Sequence, residues 1–258
     1  GFPVWYKDEN GLRLQLNVDP NDPFSGITSA DLPDSSQPVS FPTNYPGEAF
    51  YMQVEAEMTT GTGERARLVL ALEAAFVNEV PAAGDQIVFG RVRIRIFGLQ
   101  PNVEYTVSHP YGIDTFFAEP DGDGAGEINF TEDIGGLNGG EFDLAANSRV
   151  HPFLQWNPIV GFLFIDAFGE PQNFFRIEGP GIGIGSPDRS TTPGLDPDNC
   201  IETRNFTVLG KISTIAGVDV TRVTYTQNVS SNGLLDVFAT SDDTAQTINA
   251  TGTGIDST

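Results

Sequence analysis

Residues 86–99 read "QIVFGRVRIRIFGL", and their second half alternates between charged and apolar side chains. One side of this alternation consists of three arginines: Arg91, Arg93 and Arg95. The other side consists of β-branched residues: Val92, Ile94 and Ile96. Because successive side chains of a β-strand point to opposite faces, a period of two predicts a strand with one face in a core and the other toward solvent.

The same period, or a short run rich in Val, Ile, Thr and Phe, recurs on both sides of this stretch. Strands are predicted at residues 11–18, 49–58, 65–76, 103–110, 112–119, 127–133, 151–156, 161–168, 173–185 and 205–214. Residues 65–76 also contain good helix formers, but their leucines alternate, which favours a strand. Loops rich in Pro, Asp and Ser are predicted at 19–47 and 186–203. We therefore expect an all-β fold, a β-sandwich of jelly-roll or Ig-like type, over residues 1–214.

The last part of the chain, residues 215–258, predicts a small β-meander. Its three strands are expected at 218–228, 233–243 and 245–254, separated by turn-forming residues. A lone sheet of this size buries too little apolar surface to be stable. Its apolar face is expected to pack on the main body, on another chain or on a further segment. We interpret the meander as an incomplete Ig-like domain or an assembly segment.

An acidic stretch, "EPDGDGAGEINFTED" at residues 119–133, resembles a calcium-binding loop. Asp121, Asp123 and Glu132 match positions 1, 3 and 12 of the EF-hand pattern, whereas Ala125 fails position 5. An EF-hand also needs flanking helices, which Pro120 and the glycines after residue 133 exclude. The stretch therefore predicts an antiparallel hairpin with an Asp-Gly turn. Calcium stays open as a cofactor, bound by these three carboxylates in a non-helical loop.

The charge balance excludes one class of partner. The chain has 35 acidic and 13 basic residues and a net charge of −22, which repels nucleic-acid backbones. The most apolar stretch, residues 159–168, is about half the length that a membrane span needs and contains an aspartate, so no membrane insertion is expected. The acidic surface is typical of extracellular proteins, and the predicted location is secreted or at the cell surface.

No catalytic constellation is apparent, and we expect a protein that is not an enzyme. His109 and His151 each precede a proline without metal-ligand spacing, and Cys200 has acidic neighbours that disfavour a thiolate. A carboxylate-dependent glycoside hydrolase stays a less favoured alternative, because so many acids always offer some pair. Aromatic pairs such as Trp5 with Tyr6 could stack on a glycan, although core packing is the commoner role.

Several blocks of the chain together resemble a known module. They are "FPVWYKDENGLRLQL", "AFVNEVPAAGDQIVFGRVRIRI", "YTVSHPYGIDTFFAE", "INFTEDIG", "PFLQWNP", "NFFRIEGPGIG" and "FTVLGKI". They resemble an uncharacterised β-rich module of secreted bacterial multidomain proteins, which is often followed by Ig-like domains. The resemblance covers roughly residues 2–213 and implies no activity or catalytic residue. In that module cysteines commonly follow the first strand and the "EDIG" block. This chain has no cysteine at either place, so any disulfide role is lost.

These features lead to one favoured function and one alternative. The favoured function is a secreted structural subunit that assembles with copies of itself into a filament, sheath or surface layer. Strand addition or docking of terminal segments would join the copies. The arginine row of residues 91–95 could meet an acidic neighbouring copy, but pairing with acids on adjacent strands is the simpler interpretation. The alternative is an adhesin-like module that binds a carbohydrate or a cell-surface partner, with or without calcium.

Overall fold

The computed structural model describes residues 1–154, 156–157, 161–162, 173–215, 217–227 and 233–241. Its strands are β1 Trp5–Lys7, β2 Arg13–Gln15, β3 Ala49–Thr59, β4 Arg65–Phe76, β5 Gln86–Leu99, β6 Glu104–His109, β7 Gly112–Phe117, β8 Glu119–Pro120, β9 Gly126–Gly135, β10 Trp156–Asn157, β11 Gly161–Phe162, β12 Phe175–Glu178, β13 Cys200–Thr203, β14 Thr207–Ile212, β15 Val218–Gln227 and β16 Gly233–Ser241. The described helices are two short 3-10 turns, Ser29–Asp31 and Phe142–Asn147. The predicted all-β class is confirmed.

Two antiparallel sheets form the sandwich. The larger sheet has eight strands in the order β1-β2-β14-β3-β4-β5-β9-β8, and its long central strands are β3, β4 and β5. The smaller sheet has four strands in the order β13-β12-β6-β7. The chain passes from β7 in the smaller sheet to β8 in the larger one through the single residue Ala118. The strands β7, β8 and β9 therefore lie along one side of the sandwich.

The core lies between the inner faces of the two sheets, as the alternation of residues 86–99 predicts. The larger sheet contributes fully buried residues, among them Tyr51, Leu68, Leu70, Val92, Ile94 and Ile96. The smaller sheet contributes Tyr105, Val107, Phe175, Ile177 and Ile201. Burying a large apolar side chain contributes about 1.5–3 kcal/mol, so this interdigitated layer is the main source of stability.

Some predicted strands differ from those observed. The predicted hairpin pairs residues 112–119 with 127–133, but β7 pairs with β6 in the smaller sheet, and only the two residues of β8 pair with β9. Strand β13 lies inside the predicted loop 186–203, where Ile201 pairs with Ile177 across the sheet. Within 173–185 only Phe175–Glu178 is a strand, because the glycines and proline that follow form turns.

The chain divides into two compact units, Gly1–Ser213 and Thr214–Thr258. The first unit contains the sandwich. In the second unit β15 and β16 form an antiparallel hairpin whose register runs from Val218 opposite Ser241 to Gln227 opposite Gly233. The third predicted strand of the meander, 245–254, and most of the predicted strand 161–168 lie outside the described residues. Among the residues that are described, no helix has the length and apolar character required to cross a bilayer.

Candidate functional site

The acidic hairpin between β8 and β9 is a tight turn stabilised by Asp121. One carboxylate oxygen of Asp121 accepts hydrogen bonds from the backbone N–H groups of Asp123 and Ala125, both at 2.9 Å. The backbone N–H of Asp121 donates to the carbonyl of Ala125 at 2.7 Å. An aspartate that binds the backbone two residues on is a common turn former. The local chemistry of this carboxylate is thus explained by the turn itself.

The structure does not bring the three predicted calcium ligands together. Asp123 is exposed at the turn, whereas Glu132 lies on β9, six residues past Gly126 and therefore roughly 20 Å along the strand. Glu132 accepts a hydrogen bond from the Nε of Arg149 at 2.9 Å. In the part of the chain that the structure describes, no group of three or more His, Cys, Asp or Glu side chains is arranged to hold a metal ion.

A partly buried polar network connects the two sheets beside this hairpin. Arg149 donates to Asp114 on β7 at 3.0 Å and to Glu132 on β9 at 2.9 Å, so one guanidinium joins the smaller sheet to the larger. Asp114 also bonds the Nε2 of His109 at 2.9 Å. Sequence reasoning missed this network, since its four residues come from three distant segments.

Both ring nitrogens of His109 are occupied. Its Nδ1 accepts from the backbone N–H of Tyr111 at 3.2 Å, so Nε2 carries the proton that binds Asp114. Burial lowers the pKa of His109, which keeps the ring neutral. Burial opposes ionisation of Asp114, but the hydrogen bonds from His109 and Arg149 lower its pKa to about 2. This arrangement fixes β7 in place, and it leaves neither ring nitrogen free to act on a substrate.

The edge strand β7 has an apolar outer face. Ile113 is 59% exposed and Phe117 is 66% exposed, and Thr115 between them is exposed as well. Asp114 and Phe116 point the other way, toward Arg149 and the ring of Phe130. No described strand pairs with the outer side of β7. An unpaired edge strand with an uncharged, apolar exposed face is a template for pairing with another chain.

The other edges of the two sandwich sheets are protected. Strand β1 has only three residues, and β8 has two, one of which is a proline. Strand β13 is covered by the segment around Arg189, which bridges to Ile201. Strand β9 extends past β8 but carries charged side chains there, among them Asp133. Short strands, proline, cover and charge are the usual means of blocking edge pairing, so β7 is the exception.

The arginine row of β5 is only partly neutralised within the chain. Arg91 binds Asp133 through two hydrogen bonds of 2.7 and 2.8 Å and Glu73 through one of 2.9 Å. Arg95 donates to two backbone carbonyls and to the hydroxyl of Thr131, but to no carboxylate among the described residues. Burial, followed by the charges of Arg93 and Arg91, lowers the pKa of Arg95.

Arg93, in the middle of the row, differs from both of its neighbours. Within the described residues its guanidinium makes no hydrogen bond or ion pair, and its Nε is buried. Its neighbours across the sheet are Val69 and Thr131, neither of which is charged. Although the chain has 35 acidic residues, none of those that the structure describes forms an ion pair with this central arginine. The sequence predicts that these arginines pair with acids on adjacent strands. Arg91 does so, and Arg93 does not do so among the described residues.

The other residues considered from the sequence have ordinary surroundings. Burial raises the pKa of the Cys200 thiol to about 11, which keeps it protonated. His151 is exposed and lies 3.2 Å from Glu9. Of the aromatic pairs, Phe175 is core, and Phe174 lies beneath the guanidinium of Arg176. Trp5 is partly buried, with Arg13 5.5 Å above its ring. The side chain of Trp156 lies outside the described residues.

Comparison with known proteins provides no further assignment. No family model, no curated protein and no solved structure matches the chain. The resemblance to the β-rich module of secreted bacterial proteins therefore stays a prediction. Two unusual surfaces of the described chain bear on function: the edge of β7 and the arginine row of β5.

Proposed function

We propose that the protein is a secreted structural subunit that assembles with copies of itself by strand addition at β7. The observation that carries this proposal is the outer face of β7, where Ile113 and Phe117 are exposed on an unpaired edge strand. The other edges of the two sandwich sheets, as far as the chain is described, are short, covered or charged. Such selective protection favours β7 as a site of regulated pairing rather than a defect of the fold.

The simplest pairing joins β7 to β7 of a second copy in antiparallel orientation. This pairing is two-fold symmetric, so each copy uses the same surface. It would join the two four-stranded sheets into one of eight strands and bring Ile113 and Phe117 of each copy together. Each backbone hydrogen bond contributes about 0.5–1.5 kcal/mol net. Each large apolar side chain contributes about 1.5–3 kcal/mol, so the side chains dominate the contact.

The test is the native mass of a double variant, Ile113→Lys with Phe117→Lys. Light scattering after size exclusion and negative-stain microscopy would follow wild type and variant over a range of concentrations. We expect wild-type particles larger than the 27.7 kDa chain, and a loss of the β7 contact in the variant. Lysine on an edge strand blocks pairing because its charge cannot be buried against a second copy.

A matched control adds two lysines elsewhere. Leu137 and Ile184 are 82% and 60% exposed and lie in turns away from β7, so Leu137→Lys with Ile184→Lys makes the same chemical change. The control should assemble as the wild type does. A wild-type protein that stays monomeric at high concentration would refute the proposal, and so would equal loss of assembly in both variants.

A further inference from the structure

Two arginines of β5 that form no ion pair with a carboxylate among the described residues constitute a second surface. Arg93 and Arg95 are two residues apart on one strand, so their side chains leave the same face of the larger sheet. Arg93 has no partner among the described residues, and Arg95 has no carboxylate partner there. Two neighbouring guanidinium groups suit carboxylates, which they bind by charge-assisted and often bidentate hydrogen bonds. The surface is complementary to an acidic partner.

The same chain exposes suitable carboxylates on the β8–β9 hairpin. The side chains of Glu119 and Asp123 are exposed and make no hydrogen bond or ion pair within the described residues. Glu119 also pairs directly with Glu127 across the hairpin, and two like charges in that position repel. A cationic partner would relieve this repulsion. Within one chain the hairpin tip cannot reach Arg93, because the register of β5 and β9 separates them by roughly 20 Å.

We infer that the Arg93/Arg95 pair of one copy binds the Glu119/Asp123 hairpin of a second copy. We take the exchange to be reciprocal, so that the arginine pair of each copy binds the hairpin of the other, and the contact is then two-fold symmetric. This inference rests on the proposed function and deepens it. A single two-fold contact closes into a dimer. Two different two-fold contacts on one subunit, at β7 and at the arginine pair, extend into an open chain of alternating contacts, which is a filament.

The decisive experiment is a reciprocal charge exchange on the full chain. Arg93→Glu and Asp123→Arg are each expected to stop assembly at dimers of twice the 27.7 kDa chain mass, joined through β7. The double variant Arg93→Glu with Asp123→Arg is expected to restore long polymers, because the charges again match. The β7 double variant should also stop at dimers, joined through the arginine pair, and combining it with Arg93→Glu should give monomers.

Two controls separate a specific contact from a general charge effect. Arg189 is paired with Asp198 in the loop before β13, so Arg189→Glu makes the same charge change outside the β5 surface and should leave polymers intact. Arg93→Gln, with thermal unfolding followed by circular dichroism, tests whether the fold persists without the charge. Wild-type polymers should also shorten to dimers in about 1 M salt, where the Debye length is about 3 Å.

The outcomes distinguish this inference from the proposed function. Polymers that persist unchanged in Arg93→Glu, or a charge exchange that fails to restore them, would overturn the inference and leave strand addition at β7 standing. Wild-type protein found only as β7 dimers would do the same. Arg93→Glu could lose the polymers while Asp123→Arg retains them. That result would assign the arginines to another anionic partner, such as an acidic polysaccharide, and would also overturn the inference. Monomeric wild type would refute both.

Discussion

Glu73 is the most unusual single residue in the sandwich. It lies on β4 in a run of buried small and apolar side chains, and only 2% of it is exposed. One carboxylate oxygen accepts from Arg91, and the other has no hydrogen-bond partner among the described residues. Burial raises its pKa to about 7, although the charge of Arg91 opposes the shift. Arg91 of the arginine row is thus bound to an acid that is half protonated near neutral pH.

Glu73→Gln tests this directly, because it retains the shape and removes the titration. A raised carboxyl pKa means that the folded state binds more protons than the unfolded state between about pH 4.5 and 7. The free energy of unfolding of the wild type should therefore fall as the pH rises through that window. Relative to Glu73→Gln, the fall should reach about 3 kcal/mol, since one pKa unit corresponds to about 1.4 kcal/mol.

Urea unfolding of both proteins at a series of pH values measures this difference. The control is Asp133→Asn, which removes the other carboxylate bound to Arg91. The side chain of Asp133 is far more exposed than that of Glu73. A wild-type curve parallel to that of Glu73→Gln would show that the Glu73 carboxyl titrates near its ordinary value.

The β8–β9 hairpin matches a calcium pattern in sequence, but its geometry follows from the turn and the strand. Its aspartates match a calcium pattern, but Asp121 is engaged with the backbone of the turn and Glu132 is bound to Arg149. The spacing of twelve residues brings carboxylates together only when the chain forms a loop. Here the second half of the spacing is an extended strand, which separates the ends of the pattern.

Asp121→Ala should reduce the free energy of unfolding by about 1–2 kcal/mol, because two backbone donors lose their acceptor. We expect the same loss in millimolar calcium and in chelator. Asp123→Ala is the control, since the Asp123 side chain makes no hydrogen bond in the described chain and its removal should change stability by less than about 0.5 kcal/mol. A calcium-dependent stabilisation of the wild type that both variants abolish would instead assign a calcium site to the turn.

The whole chain consists of a large sandwich unit and a small C-terminal unit. Strand β14, which lies near the end of the first unit, is inserted between β2 and β3 in the larger sheet. Its hydrogen bonds therefore connect the N-terminal strands to the centre of the sheet. The sandwich is complete once β14 is present.

A chain ending after Ser213 should fold with the stability of the sandwich in the full chain. Urea unfolding monitored by tryptophan fluorescence compares the two, and we expect agreement within about 0.5 kcal/mol. A chain ending after Thr203 lacks β14 and should not fold cooperatively, because the larger sheet loses an internal strand. If the chain ending after Ser213 lost more than about 2 kcal/mol, the second unit would be part of the sandwich's folding unit.

Strands that follow from a local pattern are predicted accurately, whereas pairings between distant segments are not. The strand Gln86–Leu99 is predicted to the residue, because alternation is a local property that burial on one face reinforces. The partner of β7 is predicted wrongly, since a tight turn on either side of it allows two pairings. Strand β13 is missed because "CIET" is too short to have a period, and it is a strand only through its pairing with β12.

The sequence by itself determines the all-β class, the central strands and the strong negative charge, since each follows from composition or from a period of two along the chain. The tertiary structure decides which carboxylates and cations meet. It pairs Arg91 with Glu73 and Asp133, gives Arg93 no ion pair among the described residues, and separates Asp121 from Glu132. It also makes β7 an edge. The physical reason is that strand order and register depend on contacts between distant segments, which no local pattern specifies.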